Sequence, residues 1–269
     1  MPMARAMIGL ASLLAGLLAQ GCMQPPLPER VRPGPLTRHL VAERVSAVVV
    51  TRRQSIQDWA DRRFPKMDER EDVDGGSAVP ITPDGYFLTA DHVLARVGGE
   101  RNAFVIYRWE GRLMTAKARV VWRSASADLA LLHVPHATPR YYRWTPPDQW
   151  LPEGTRVIHG GIATGYKSPT GKLTSTLAPE HRFTLARRFK ISIRLQPGDS
   201  GGPVVSASGG LIGINSAVEF LVPMDTAIFV DSEGNRPNTR LLDDLIKCDR
   251  RRNSGTNAPV EQTAVDDGW

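Results

Sequence analysis

The chain holds only two cysteines, Cys22 and Cys248, in 269 residues. So sparse a supply excludes a disulfide framework, and no Cys/His cluster stands at zinc-ligand spacing, so neither a metal nor a cofactor is expected. The fold must rest on apolar burial alone, which a chain of this length can supply. Internal repeats are missing too, which excludes a solenoid or a modular array. There is no compact basic patch with interleaved aromatics. The 34 Lys+Arg against 28 Asp+Glu give a net charge of +6, but the excess is spread thinly. It marks a generally basic surface, and no nucleic-acid partner is expected. With 41% hydrophobic and 23% charged residues, the composition is that of an ordinary globular protein. Twenty-four glycines and 21 prolines favour many short elements joined by turns.

The N-terminus reads as an address. Arg5 is the only charged residue before Glu29, and Met7 to Leu18 is an apolar run too short to span a bilayer comfortably. Small residues then lead through Leu18-Ala19-Gln20-Gly21 to Cys22. This segment resembles a bacterial lipoprotein signal, which implies that residues 1–21 are removed and Cys22 is acylated. The alternative is a plain secretory signal. Either implies export, and the lipoprotein signal adds a membrane partner through the lipid anchor. Residues 22–40, with five prolines between Met23 and Pro35, read as an extended tether.

From Val41 onward, short β-branched and aromatic runs follow one another between turn signals. They include 45–50, 77–82, 86–89, 104–109, 113–122, 129–134, 156–159, 189–194, 204–206 and 211–214. Pro83-Asp84-Gly85 and Glu110-Gly111-Arg112 mark turns, the second joining a hairpin. This spacing predicts an all-β sandwich or barrel. The stretch 52–74 is charged and lacks a clean period, and reads as a long loop or a short surface helix. Residues 240–247 have apolar positions at helical spacing and predict a short closing helix, with 248–269 as a disordered tail.

The strongest local signal is Gly198-Asp199-Ser200-Gly201-Gly202-Pro203. A serine among glycines in a tight loop offers an exposed hydroxyl and convergent backbone N–H groups, the two things acyl transfer requires. Such a serine needs a base. Of six histidines, His92 is the best placed, at the point where the apolar run 86–89 ends and the chain turns. Asp128 opens the apolar run 129–134, where a carboxylate is costly to bury unless an imidazole N–H pairs with it. Asp91 competes for that role, but its position beside His92 points it away from its neighbour's ring.

The order His92, Asp128, Ser200, with Thr89-Ala90-Asp91-His92, Asp128-Leu129-Ala130 and the glycine loop, resembles the trypsin-like (chymotrypsin-fold) serine proteases. Gly85-Tyr86-Phe87-Leu88-Thr89 and Gly213-Ile214-Asn215-Ser216-Ala217 are closest to the bacterial HtrA/Deg branch. The resemblance covers residues 41–247. It implies two packed six-stranded antiparallel β-barrels with a short C-terminal helix, and a polypeptide substrate. His92 and Asp128 would come from the first barrel and Ser200 from the second. The oxyanion hole would be the N–H groups of Gly198 and Ser200. Ser216 would flank the substrate backbone, and Val204-Val205 would enter the second core.

The family pattern also locates what is unusual. The chain shows no PDZ-type region and no Ile-Val-Gly-Gly activation terminus, yet keeps Asp199, which in trypsin-like zymogens pairs with a new N-terminal amine. Arg187, Arg188 and Lys190 are the sequence candidates for its partner. Arg194, six positions before the serine, would lie near the base of the specificity pocket and favour an acidic side chain. If Arg194 instead faces solvent, Leu195 and Ala217 line a small apolar pocket. The expected activity is that of an exported serine endopeptidase. A silent binding protein on the same fold, or an esterase-like hydrolase with the same triad, are the alternatives.

Overall fold

Three successive valines, Val48 to Val50, lie wholly inside the protein and form the middle of β1 (Ser46–Thr51). The β-branched run suits a strand buried on both faces. The computed structural model describes residues 31–57, 73–95, 97–164, 168–221 and 228–253. The signal segment, Cys22 and most of the 52–74 stretch lie outside them. β1 pairs with β2 (Asp74–Pro80) and with β4 (Asn102–Trp109). Together with β3 (Tyr86–Thr89), β5 (Arg112–Ser124) and β6 (Leu129–His133), they close a barrel in the order β1-β2-β3-β6-β5-β4. The β4–β5 hairpin turns on Glu110 and Gly111, both at positive φ (48° and 81°), as a two-residue primed turn requires.

The second half is a six-stranded sheet in the order β8-β7-β10-β11-β12-β9. Its strands are β7 (Arg156–His159), β8 (Thr170–Lys172), β9 (Ala186–Ile191), β10 (Pro203–Ser206), β11 (Leu211–Leu221) and β12 (Ile228–Pro237). The sheet curls until its outer strands touch at one bridge, Leu173 to Ile191, instead of closing through a full ladder. Its core gathers Leu151, Val157, Leu173, Phe189, Ile191, Val204 and Ile212. Val205 does not join that core, contrary to the sequence expectation. Neighbours on a strand face opposite ways, so Val205 packs with Ile158, Leu211 and Ile214 in a cluster continuous with the first barrel. One apolar body thus runs between the two sheets.

Two helices brace the pair. α1 (Pro35–Glu43) occupies residues the sequence assigned to the tether, so the extended segment ends earlier than expected. Thr37 donates from Oγ1 to the Ala207 carbonyl at 2.8 Å, and Val41 is fully buried against Gly160. α2 (Thr239–Asn253) begins where Asn238 Oδ1 accepts the N–H groups of Arg240 and Leu241. It continues past Lys247 into the stretch read as a tail. Leu242, Ile246 and Asp249 form its buried face. Among the described residues, no helix is long and apolar enough to cross a membrane.

Candidate active site

β3 delivers His92. Its four residues are buried, and the chain then turns through a short 3₁₀ segment, Asp91–Leu94. Val93 and Leu94 anchor that turn inside, while the His92 side chain stays half exposed. Asp91 points away, as expected: Arg123 Nε donates to its Oδ1 at 2.6 Å. Asp128 stands just before β6 with φ at +47°, a left-handed conformation that Asp tolerates better than most residues. From there its carboxylate meets the His92 ring, with Nδ1 2.9 Å from Oδ2 and 3.0 Å from Oδ1. It also accepts the His92 backbone N–H at 3.0 Å and the Ser216 hydroxyl.

These bonds set the electrostatics. Burial alone would raise the Asp128 pKa, but hydrogen bonds from His92 and Ser216 outweigh it and hold the carboxyl at about 2. The His92 pKa moves up, chiefly through the hydrogen bond to Asp128 and against the opposing effect of burial. With Nδ1 donating to an ionised carboxylate, Nε2 is the nitrogen left to accept a proton.

Ser200 enters from the loop before β10. Around the serine, three backbone N–H groups are committed: Asp199 to the Gln196 carbonyl, Gly201 to Asn215, and Gly202 to Asp199, each at 2.9 Å. Those of Gly198 and Ser200 have no acceptor among the described residues. A buried or half-buried N–H is rarely left unpaired, and two in alternation are the arrangement that suits a negative oxygen. Gly198 makes this possible with φ at +101°, which only glycine adopts readily. The Ser200 hydroxyl donates to the Ser216 carbonyl at 3.4 Å, and no hydrogen bond joins it to His92. In unliganded sites such catalytic bonds are commonly long. Ser216, on β11, thus touches both Asp128 and Ser200.

What fastens this loop to the first barrel is Ser77 on β2, which the sequence reading placed only in a strand. Its N–H donates to the Ser200 carbonyl at 2.8 Å, its Oγ donates to the Gly198 carbonyl at 2.7 Å, and the same Oγ accepts the Ile162 N–H at 2.9 Å. Gly201 shows how tight the seam is: a Cβ there would lie 2.2 Å from the Ser77 carbonyl oxygen.

Asp199 is wholly buried, and its partners differ from those expected. Arg187 and Arg188, on β9, pair instead with Glu180 in the preceding loop and Glu233 on β12. Asp199 accepts N–H bonds from Gln196 and Thr164 and the Thr164 hydroxyl, and His159 Nε2 stands 3.5 Å from its Oδ1. No local signal marks His159, because a histidine closing an apolar strand reads as one more surface residue.

Of the residues expected around the substrate, Ser216 is at the site. Arg194 is exposed beyond the end of β9, Leu195 is buried and Ala217 is exposed. No group of His, Cys, Asp and Glu among the described residues is arranged to hold a metal ion.

A closed barrel and a curled six-stranded sheet, meeting at a histidine–aspartate pair and a glycine-flanked serine, define the chymotrypsin-like class. The Trypsin-like peptidase domain model matches residues 76–214, a little over half of the chain, and the chain belongs to that family. Among its relatives, a probable periplasmic serine endoprotease DegP-like of Rhizobium meliloti (strain 1021) is 28% identical over 186 residues, 66% of this chain and 32% of the relative. A protein of the same name from Pseudomonas putida (strain GB-1) is 29% identical over 184 residues, 64% of this chain and 37% of its own. The chain therefore spans about a third of the length of the curated relatives it matches. Among solved structures, an HtrA-type protease AlgW with tripeptide shares the fold at a TM-score of 0.56 and 22% identity, covering 82% of this chain and 65% of that one. AlgW with decapeptide follows at 0.52 and 20%, covering 78% and 66%.

Proposed function

We propose that the protein is an exported serine endopeptidase that works through His92, Asp128 and Ser200. The observation that carries this is the Asp128–His92 pair together with a serine loop in which, among the described residues, the N–H groups of both Gly198 and Ser200 lack acceptors. Ser200 Oγ attacks the carbonyl carbon of the scissile peptide and passes its proton to His92 Nε2. The carbonyl oxygen gains the negative charge and is held by the two N–H groups. Collapse of the tetrahedral intermediate breaks the C–N bond, and the leaving amine takes the proton from His92. Water then repeats the sequence on the acyl-enzyme and releases the acid. Asp128 stays ionised throughout, fixing the ring and stabilising the imidazolium. For specificity, the exposed Arg194 favours the apolar pocket with Leu195 over one based on a guanidinium. The periplasmic naming of the relatives supports export, and we propose that Cys22 carries the lipid anchor.

The test is covalent labelling by a fluorophosphonate together with turnover of an unfolded protein and of peptides with Val, Ala, Glu or Arg before the cut. Labelling should map to Ser200, and Ser200→Ala or His92→Ala should each lower kcat by about 10⁴-fold or more, with the double variant little worse. Preference for Val or Ala is the expected specificity, and preference for Glu that Arg194→Ala removes would restore the charged pocket. The Ser200–Ser216 contact is what a silent binding protein on this fold would also show. Failure of the wild type to label would establish that second reading, while labelling without peptide cleavage would point to an esterase-like hydrolase.

A further inference from the structure

The nucleophile loop carries a buried carboxylate that no arginine or lysine among its sequence candidates reaches, and the structure puts a histidine there instead. His159 closes β7 with its side chain wholly inside the protein, as is that of Asp199. The groups placed against its ring come from each element packed around it. From the nucleophile loop, Asp199 Oδ1 is 3.5 Å from Nε2, which has no nearer hydrogen-bond partner. From β10, the Pro203 carbonyl oxygen is 3.2 Å from Nδ1. From β11, the side-chain amide nitrogen of Asn215, as placed, lies directly on Nδ1. Gly161 leaves no room for anything else, since a Cβ there would fall 2.3 Å from Asp199 Oδ1 and 3.0 Å from His159 Nε2.

The proton count follows from these neighbours. A carbonyl oxygen facing Nδ1 accepts from a ring N–H and repels a ring lone pair. Asn215 Oδ1, buried with no partner, gains one if the amide makes a half-turn so that its oxygen faces Nδ1 as well. Nε2 looks only at a carboxylate. Acceptors therefore stand at both ring nitrogens, and only the imidazolium has a proton for each.

We propose that His159 is a positioning residue held as an imidazolium, whose buried ion pair with Asp199 keeps the nucleophile loop in its working shape in place of an N-terminal ammonium. Asp199 fits that pairing: burial would raise its pKa, but His159 and the Gln196 and Thr164 bonds bring it below the usual carboxylate range. A carboxylate taken out of water needs a counter-charge, and leaving either partner alone there is strongly unfavourable. Asp199 also supplies the carbonyl that accepts Gly202 N–H, while the residues on either side of it, Gly198 and Ser200, carry the two unpaired N–H groups. An ion pair at this point sets the direction of both. The chain would then need no cleavage to become competent. This role rests on the endopeptidase reading, whereas the charge state of the ring does not.

The experiment is ¹⁵N NMR of the full chain labelled in histidine, with His159 assigned through His159→Gln, alongside kinetics of His159→Gln and Asp199→Asn. Both ring nitrogens of His159 should be protonated wherever the wild type is active. Each variant should lower kcat at least about tenfold, the change that ~1.4 kcal/mol of barrier makes, with KM little altered and the double variant no worse than either. A singly protonated ring at the pH of full activity overturns the proposal, as does a fully active Asp199→Asn. If the ring proves doubly protonated but Ser200 never labels, the ion pair stands and the endopeptidase reading falls.

Discussion

His92 and Ser77 show how much rides on single side chains. In the proposed mechanism the neutral His92 ring accepts the Ser200 proton, and its bond to Asp128 raises its pKa above the ordinary imidazole value of about 6.5. As pH falls through that raised value the ring becomes charged and the base is lost. The acid limb of kcat/KM should therefore lie above the value for free imidazole; a limb below it in a pH–rate series would contradict the Asp128 assignment. Ser77 is legible only in three dimensions. Ser77→Ala removes the bond to the Gly198 carbonyl and strands the Ile162 N–H, yet keeps the backbone bond to Ser200. The expected result is a kcat lower by about ten- to a hundredfold with KM nearly unchanged, because the oxyanion donors lose alignment and not identity. Unfolding in urea should show a stability loss of only about 1–2 kcal/mol. A kcat equal to wild type would mean that the backbone bond alone holds the loop.

Among the elements, α2 is the one whose role departs most from the sequence reading. The apolar spacing predicted a helix over 240–247, but the tie that fastens it lies beyond, at Asp249. That carboxylate accepts two bonds from Arg119 on β5, at 2.6 and 2.7 Å, and one from the Tyr86 hydroxyl on β3 at 2.9 Å. The stretch after Cys248 reads as a tail because it is polar and rich in Gly, Asn and Asp; the barrel supplies the partners that order its first turn. Asp249→Ala should cost about 2 kcal/mol, discounted for the partly exposed Arg119. The Arg119 bonds hold the Asp249 pKa below the usual carboxylate range, against the pull of burial. Its contribution is therefore complete above that range and disappears as pH falls through the depressed value. The gap between wild type and variant, followed by chemical denaturation, should close in acid; a gap that persists there would place the stabilisation in packing instead. β12 escaped the sequence reading for a related reason. Its Ser232, Asn235 and Arg236 are buried polar residues, with Arg236 bonded to Thr145 and its pKa brought down to about 10 by burial and by Arg187. A strand carrying such groups has no apolar alternation to read.

The whole molecule joins a barrel and a curled sheet through one continuous apolar cluster, clasped by α1 on one side and by Ser77 at the site. Because α1 begins at Pro35, the tether expected over residues 22–40 can reach no further than Gly34. The anchor proposed at Cys22 is tested on the full-length chain. A single acyl chain binds membranes only marginally, whereas multiple acylation holds them stably. Expressed with residues 1–21, the protein should fractionate with membranes and come free in detergent, and Cys22→Ser should release it or block its processing. A wild type found entirely in the soluble exported fraction would refute the anchor.

The sequence by itself determined the strand-rich class, most of the first barrel and the turns at Gly85 and Gly111, and singled out His92, Asp128 and Ser200 as the candidate site. These are local signals: a β-branched run, a glycine forced by backbone angle, a reactive side chain in a revealing neighbourhood. Only the tertiary structure decided the partners. Asp199 meets His159 across 40 residues, Ser77 meets Gly198 across 121, and Asp249 meets Tyr86 across 163. A buried polar group is stable only beside its complement, and that complement is brought close by sheet closure and packing, which no local pattern records.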